Sequence, residues 1–107
     1  VDAGAGGALP VYVHRSTSLD SASRFPPESV DLAFVDGSHR LEDVLRDLRA
    51  WWARLRPGGA LVGHDFGAFH PGVPKAVVLF INETQEFRVL RPQLVLDVDG
   101  IFWLRKW

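Results

Sequence analysis

The chain contains no cysteine and no methionine, and only 2 lysines stand beside 10 arginines. Without cysteine there is no disulfide, no thiolate nucleophile and no thiolate metal ligand. Without methionine the chain starts at Val1 with no initiator, so it is expected to be a processed chain or an excised piece. No apolar run approaches the roughly 18 residues that a membrane helix needs. The first residues lack the charged-then-apolar pattern of a signal peptide. Neither sign of charge is in excess, with a net value of −1. Nothing therefore draws the chain to nucleic acid or to an anionic membrane. These absences lead to an expected cytoplasmic location. What remains is ordinary: 107 residues, 47% apolar and 23% charged, enough for one small domain but not two.

Residues 1–10 are rich in glycine and alanine and read as a linker or a truncated N-terminal remnant. The Gly4-Ala5-Gly6-Gly7 stretch lacks the preceding strand that a dinucleotide-binding turn requires. Val11 to His14 is β-branched and aromatic and is expected as a strand. Residues 18–24 have room for one or two helical turns. Val30 to Val35 is a near-continuous apolar run, the pattern of a strand covered on both faces.

Leu41 to Leu55 carries the strongest helical period, with Leu41, Val44, Leu45, Leu48, Trp52 and Leu55 at three- and four-residue spacing. Ser38 is the expected N-cap, and Pro57-Gly58-Gly59 the expected stop. Ala60 to Val62 begins a second buried strand. Pro74 to Glu83 is expected to be helical, with Val77, Val78 and Ile81 inward. Phe87 to Leu90 and Leu94 to Val98 are strand-like, Asp99-Gly100 is a hairpin turn signal, and Ile101 to Leu104 is a final strand. The expected class is α/β: a partial Rossmann-like sheet with parallel central strands, an antiparallel C-terminal hairpin and helices on the faces.

Two polar groups stand where buried strands end. Asp36-Gly37-Ser38-His39 follows the first run, and Gly63-His64-Asp65 follows the second. Parallel strands joined by a crossover helix bring their C-terminal ends together, and open α/β sheets bind ligands in that crevice. Neighbouring strands lie about 4.8 Å apart, so carboxylates at both ends can share one cation. Carboxylates favour Mg²⁺ or Ca²⁺, and an imidazole shifts the preference toward Mn²⁺, Fe²⁺ or Zn²⁺. His39 offers an imidazole, a side chain suited to taking a proton from a hydroxyl. Adjacent strand residues face opposite ways. His64 and Asp65 can therefore both be ligands only if the strand has already turned into loop; otherwise Asp65 stays and His64 is structural. His14 and His70 have no partner that sequence can name.

Asp31-Leu32-Ala33-Phe34-Val35-Asp36-Gly37-Ser38-His39, Asp47-Leu48-Arg49-Ala50-Trp51, Leu55-Arg56-Pro57-Gly58-Gly59, Gly63-His64-Asp65 and Gly72-Val73-Pro74-Lys75-Ala76 occur in that order. Together they resemble the C-terminal half of class I S-adenosylmethionine-dependent methyltransferases. The nearest branch is the metal-dependent O-methyltransferases of macrolide sugars and related natural products. The resemblance spans residues 11–107. It implies that Asp36, His64 and Asp65 hold a divalent metal, Mg or Mn, although the family more often has an acidic residue at the position of His64. It implies that His39 is the base that deprotonates the acceptor, and that Thr17, Ser18 and Leu19 touch the adenine of S-adenosylmethionine. The acceptor it implies is a small-molecule hydroxyl, on a sugar or natural product.

The glycine-rich loop and the ribose-holding acid of that family lie upstream of the matched segment. The chain is therefore expected to lack most of the cofactor-binding half. A non-catalytic remnant, or a dimerisation module using an exposed sheet edge, is the alternative. A metal-dependent hydrolase built on the same four residues ranks below both. Isothermal titration of the 107-residue chain with S-adenosylmethionine is expected to show weak binding or none; micromolar binding contradicts this expectation.

Overall fold

A computed structural model describes residues 9–84, 94–97 and 99–106. Its elements run α1 (Ser18–Ser23), β1 (Val30–Val35), α2 (Leu41–Arg54), β2 (Leu55–Gly63), α3 (Gly72–Glu83), β3 (Leu94–Leu96) and β4 (Phe102–Arg105). The four strands form one sheet in the order β1-β2-β4-β3. β1 and β2 are parallel, with α2 as their crossover; β4 runs antiparallel to both β2 and β3. The expected α/β class and the antiparallel C-terminal pair are both present. No helix among the described residues is long and apolar enough to cross a membrane.

The core follows from two periodicities. On α2, Val44, Leu48 and Trp52 are buried, one turn apart. On the strands, alternate residues Ala33, Leu61, Phe102 and Leu104 face them, and α3 adds Val73, Ala76, Val77 and Phe80. Trp52 meets Phe80 nearly edge-on, with ring centroids 5.4 Å apart, a favoured aromatic geometry. Lys106 is buried beside this cluster, and its Nζ donates to the carbonyls of Trp52 and Leu55, both at 2.9 Å. An ammonium there complements the negative, C-terminal end of the α2 dipole.

Several expectations shift. Val11–His14 forms no strand and is exposed, because no described strand lies alongside to pair with it. β1 is not covered on both faces. Its Ala33 is buried, whereas Leu32 and Phe34 are each 54% exposed. Phe34, Val62, Trp103 and Val95 lie in register across the sheet on the face away from α2, and no described element packs there. Val78 is half-exposed rather than inward. Phe87–Leu90 and Val98 lie outside the described residues.

Pro57-Gly58-Gly59 ends the helix differently from expected. α2 passes straight into β2 at Leu55, and the prolyl-glycyl stretch becomes a bulge inside the strand. Val30 pairs with Leu55 but Leu32 with Ala60, so two steps along β1 match five along β2. Bulges of this kind bend a strand while preserving the pairing on either side.

The C-terminal end of β2 is closely fitted. A Cβ at Gly63 would collide with the Phe102 ring from β4. Gly63→Ala must push apart two paired strands next to the core. It is expected to destabilise the fold by about 1–3 kcal/mol, lowering the melting temperature followed by circular dichroism; an unchanged melting temperature contradicts this packing account.

Candidate functional site

Asp36 is the first residue beyond β1, and His64 and Asp65 are the first two beyond β2. The parallel pairing of Val35 with Gly63 sets these strand ends side by side. Asp65 has a left-handed backbone, with φ of 64°. This conformation is uncommon for residues with a Cβ, and Asp tolerates it better than most. Its effect is to end the strand's alternation. His64 and Asp65 no longer face opposite ways: His64 Nδ1 lies 3.0 Å from Asp65 Oδ1 and 3.9 Å from Asp36 Oδ1. The condition under which both residues can serve one centre is met.

His39 comes to the same point from the start of α2. Its Nε2 donates to Asp65 Oδ2 at 2.7 Å. In a neutral ring this leaves Nδ1 as the nitrogen with a free lone pair. Ser38 does not cap α2 in the expected way. Arg40 occupies the N-cap position without a side-chain bond. Ser38 instead bridges from two residues upstream, its Oγ accepting from the Arg40 amide at 3.1 Å and donating to Asp43 Oδ2 at 2.9 Å. This pins the turn between Asp36 and His39.

His70, which sequence left without a partner, belongs to the cluster. Its ring stacks on His39 with centroids 3.7 Å apart, and its Nε2 lies 4.0 Å from Asp65 Oδ1. Gly72 permits this approach, because a Cβ there would collide with the His39 carbonyl. The one signal in the chain was a second histidine six residues after His64, in the same post-strand segment. Asp65 thus has three imidazoles around it. Partial burial works against its charged form, but the hydrogen bond from His39 and the charges of His64, His39 and His70 outweigh that and hold its carboxyl below the ordinary range.

The donors divide into two overlapping sets. Asp36, His64 and Asp65 offer ligand atoms within 4.8 Å of one another, and so do His39, Asp65 and His70. Donors around a cation at about 2.1 Å lie about 3 Å apart. The first set needs only a small contraction to close on one ion, and its two carboxylates and one imidazole suit Mg²⁺ or Mn²⁺ chemically.

Thr17, Ser18 and Leu19 lie across Gly37 and Ser38 from this cluster. With Asp43, Arg46 and Asp47 they line a cleft of about 360 Å³. Thr17 is the N-cap of α1, its Oγ1 accepting from the Asp20 amide at 3.2 Å. Ser18 is held from α2, since Trp51 Nε1 donates to its Oγ at 2.7 Å. Burial pushes the Asp47 carboxyl up, and a hydrogen bond with Ser18 partly offsets this. Asp36, Gly37, Ser38 and His39 line a second, much narrower depression with His64 and Asp65. Gly37 and Ser38 are therefore the shared wall between the cleft and the polar cluster. His14 stands apart, with its Nδ1 2.7 Å from Arg24.

A family model described as a methyltransferase domain matches residues 4–66, more than half of the chain. No curated protein matches. Among solved structures, a Corynebacterium glutamicum protein superposes with a TM-score of 0.64 at 22% identity, over 85% of this chain and 45% of its own. A protein described as a possible exported protein from Bordetella parapertussis superposes with a TM-score of 0.53 at 17% identity, over 91% of this chain and 44% of its own. The chain thus spans a little under half the length of these two neighbours, and at these identities the likeness is one of fold.

Proposed function

The chain belongs to the methyltransferase domain family, and from that premise we propose that it is the metal-holding, base-bearing part of an S-adenosylmethionine-dependent O-methyltransferase. The observation that carries this reading is the convergence of Asp36, His39, His64 and Asp65 at two adjacent parallel strand ends. A small-molecule hydroxyl, as on a sugar or natural product, is the proposed acceptor, in keeping with the resemblance to macrolide-sugar O-methyltransferases.

Asp36, His64 and Asp65 would hold the Mg²⁺ or Mn²⁺. When bound, such an ion supplies a Lewis acid that lowers the pKa of a coordinated hydroxyl. The chain's own work is positioning and proton removal. Asp65 accepts the Nε2–H of His39 and so fixes that ring's tautomer and orientation. His39 Nδ1 is then the atom that would take the acceptor's proton, and bound S-adenosylmethionine would supply the methyl group. The Thr17–Leu19 turn is the proposed adenine contact. Its cleft meets the polar cluster along the Gly37–Ser38 wall, which would set cofactor and acceptor on either side of one short segment. Such pre-positioning can supply several kcal/mol of a transfer barrier.

Mn²⁺ binding followed by electron paramagnetic resonance tests the ligand set. Asp36→Asn is expected to weaken binding by roughly tenfold or more, while the far-ultraviolet circular dichroism stays that of the parent. Equal affinity in parent and variant overturns this reading.

A further inference from the structure

His70 has no role in the reaction proposed above, yet it is stacked on His39 and aimed at Asp65. We propose that His39, Asp65 and His70 form an alternative metal site, selective for a zinc-class ion (Zn²⁺, Co²⁺ or Ni²⁺), that shares only Asp65 with the Asp36 set. Three features support it. The ligand atoms of these residues lie within 4.8 Å of one another, with His39 Nε2 2.7 Å from Asp65 Oδ2 and His70 Nε2 4.0 Å from Asp65 Oδ1. Donors at about 2.0–2.1 Å around a tetrahedral ion lie about 3.3 Å apart. The His39–Asp65 contact must therefore open slightly and the His70–Asp65 contact, to the other carboxylate oxygen, close by less than about 1 Å, while the two imidazole nitrogens start within 4.8 Å of each other.

The second feature is donor chemistry. Two imidazoles and one carboxylate form a softer set than the two carboxylates and one imidazole of Asp36, His64 and Asp65, and imidazole-rich sites favour zinc-class ions over Mg²⁺. The third is access. The side chains of His39 and His70 are 45% and 37% exposed, so an ion can enter from solvent and keep a water in an open position. The second residue of the contact is prepared in the fold: Gly72 lets the start of α3 press against the His39 backbone, and this holds the two rings together.

Binding is balanced simply. His39 Nε2 gives its lone pair to the ion, the ring's proton resides on Nδ1 instead, and the ring remains neutral. In the reaction proposed above, that protonated Nδ1 could no longer accept the acceptor's proton. The ion would therefore act as an inhibitor, a consequence that rests on the proposed function, whereas the site itself does not.

Co²⁺ is the probe, its visible absorption reporting binding to the full chain. The parent is expected to bind one Co²⁺ that Asp36→Asn retains within about threefold, and that His70→Asn and His39→Asn each weaken by roughly tenfold or more. His70→Asn binding as the parent does, or no Co²⁺ binding by the parent, overturns the site. Loss in Asp36→Asn but not in His70→Asn also overturns it, and assigns the ion to the Asp36 set, leaving the proposed function standing. A second measurement needs no variant. X-ray absorption of the parent loaded with one Co²⁺ is expected to count two imidazoles; one imidazole or none overturns the proposal.

Discussion

The arrangement depends on one residue in an unfavourable backbone conformation. Asp65 sits in the left-handed region immediately beyond β2, where a residue with a Cβ typically costs about 1–2 kcal/mol. That turn breaks the strict alternation of the strand and swings the Asp65 carboxylate to the same side as His64. The carboxylate then takes the His39 hydrogen bond and lies within 4.0 Å of imidazole nitrogens of His64 and His70. Backbone strain held at a polar cluster is characteristic of functional sites. Here the strain and the gathering of side chains have the same cause.

The rest of the fold keeps this point in place. Phe66 donates its amide to the Gly100 carbonyl at 2.9 Å, tying the segment after Asp65 to the turn between β3 and β4. Gly63 admits the Phe102 ring under the end of β2, and Gly72 admits the start of α3 against His39. Lys106 closes the far end of α2. Both ends of the crossover helix are thus fixed by contacts from distant parts of the chain. Long-range packing of this type is what holds side chains within the narrow tolerances that coordination and proton transfer require.

Periodicity made the crossover unit legible in the sequence. The α2 period and the apolar runs on either side of it give β1 and α2 nearly residue by residue and the last part of β2, and the polar groups at the strand ends follow from that topology. Four things were hidden for physical reasons. Whether His64 and Asp65 could face one way depended on a single dihedral angle, which residue type alone does not set. His70 joined the cluster through a stack on His39 made possible by close backbone approach at Gly72, a contact between segments with no shared period. Covering of β1 on both faces was inferred from its apolar run, but an apolar residue records an affinity for burial rather than the presence of a partner, and Leu32 and Phe34 remain half-exposed. The bulge at Pro57-Gly58-Gly59 was hidden likewise, because the same residues that stop a helix also bend a strand.

Asp65 organises three imidazoles at once. ¹⁵N resonances of the histidine rings, compared between the parent and Asp65→Asn, test this most directly. The account predicts that the rings of His39, His64 and His70 all shift, while His14, bonded to Arg24 away from the cluster, stays where it was. Shifts confined to His64, the immediate chain neighbour, or no shifts at all, would contradict it.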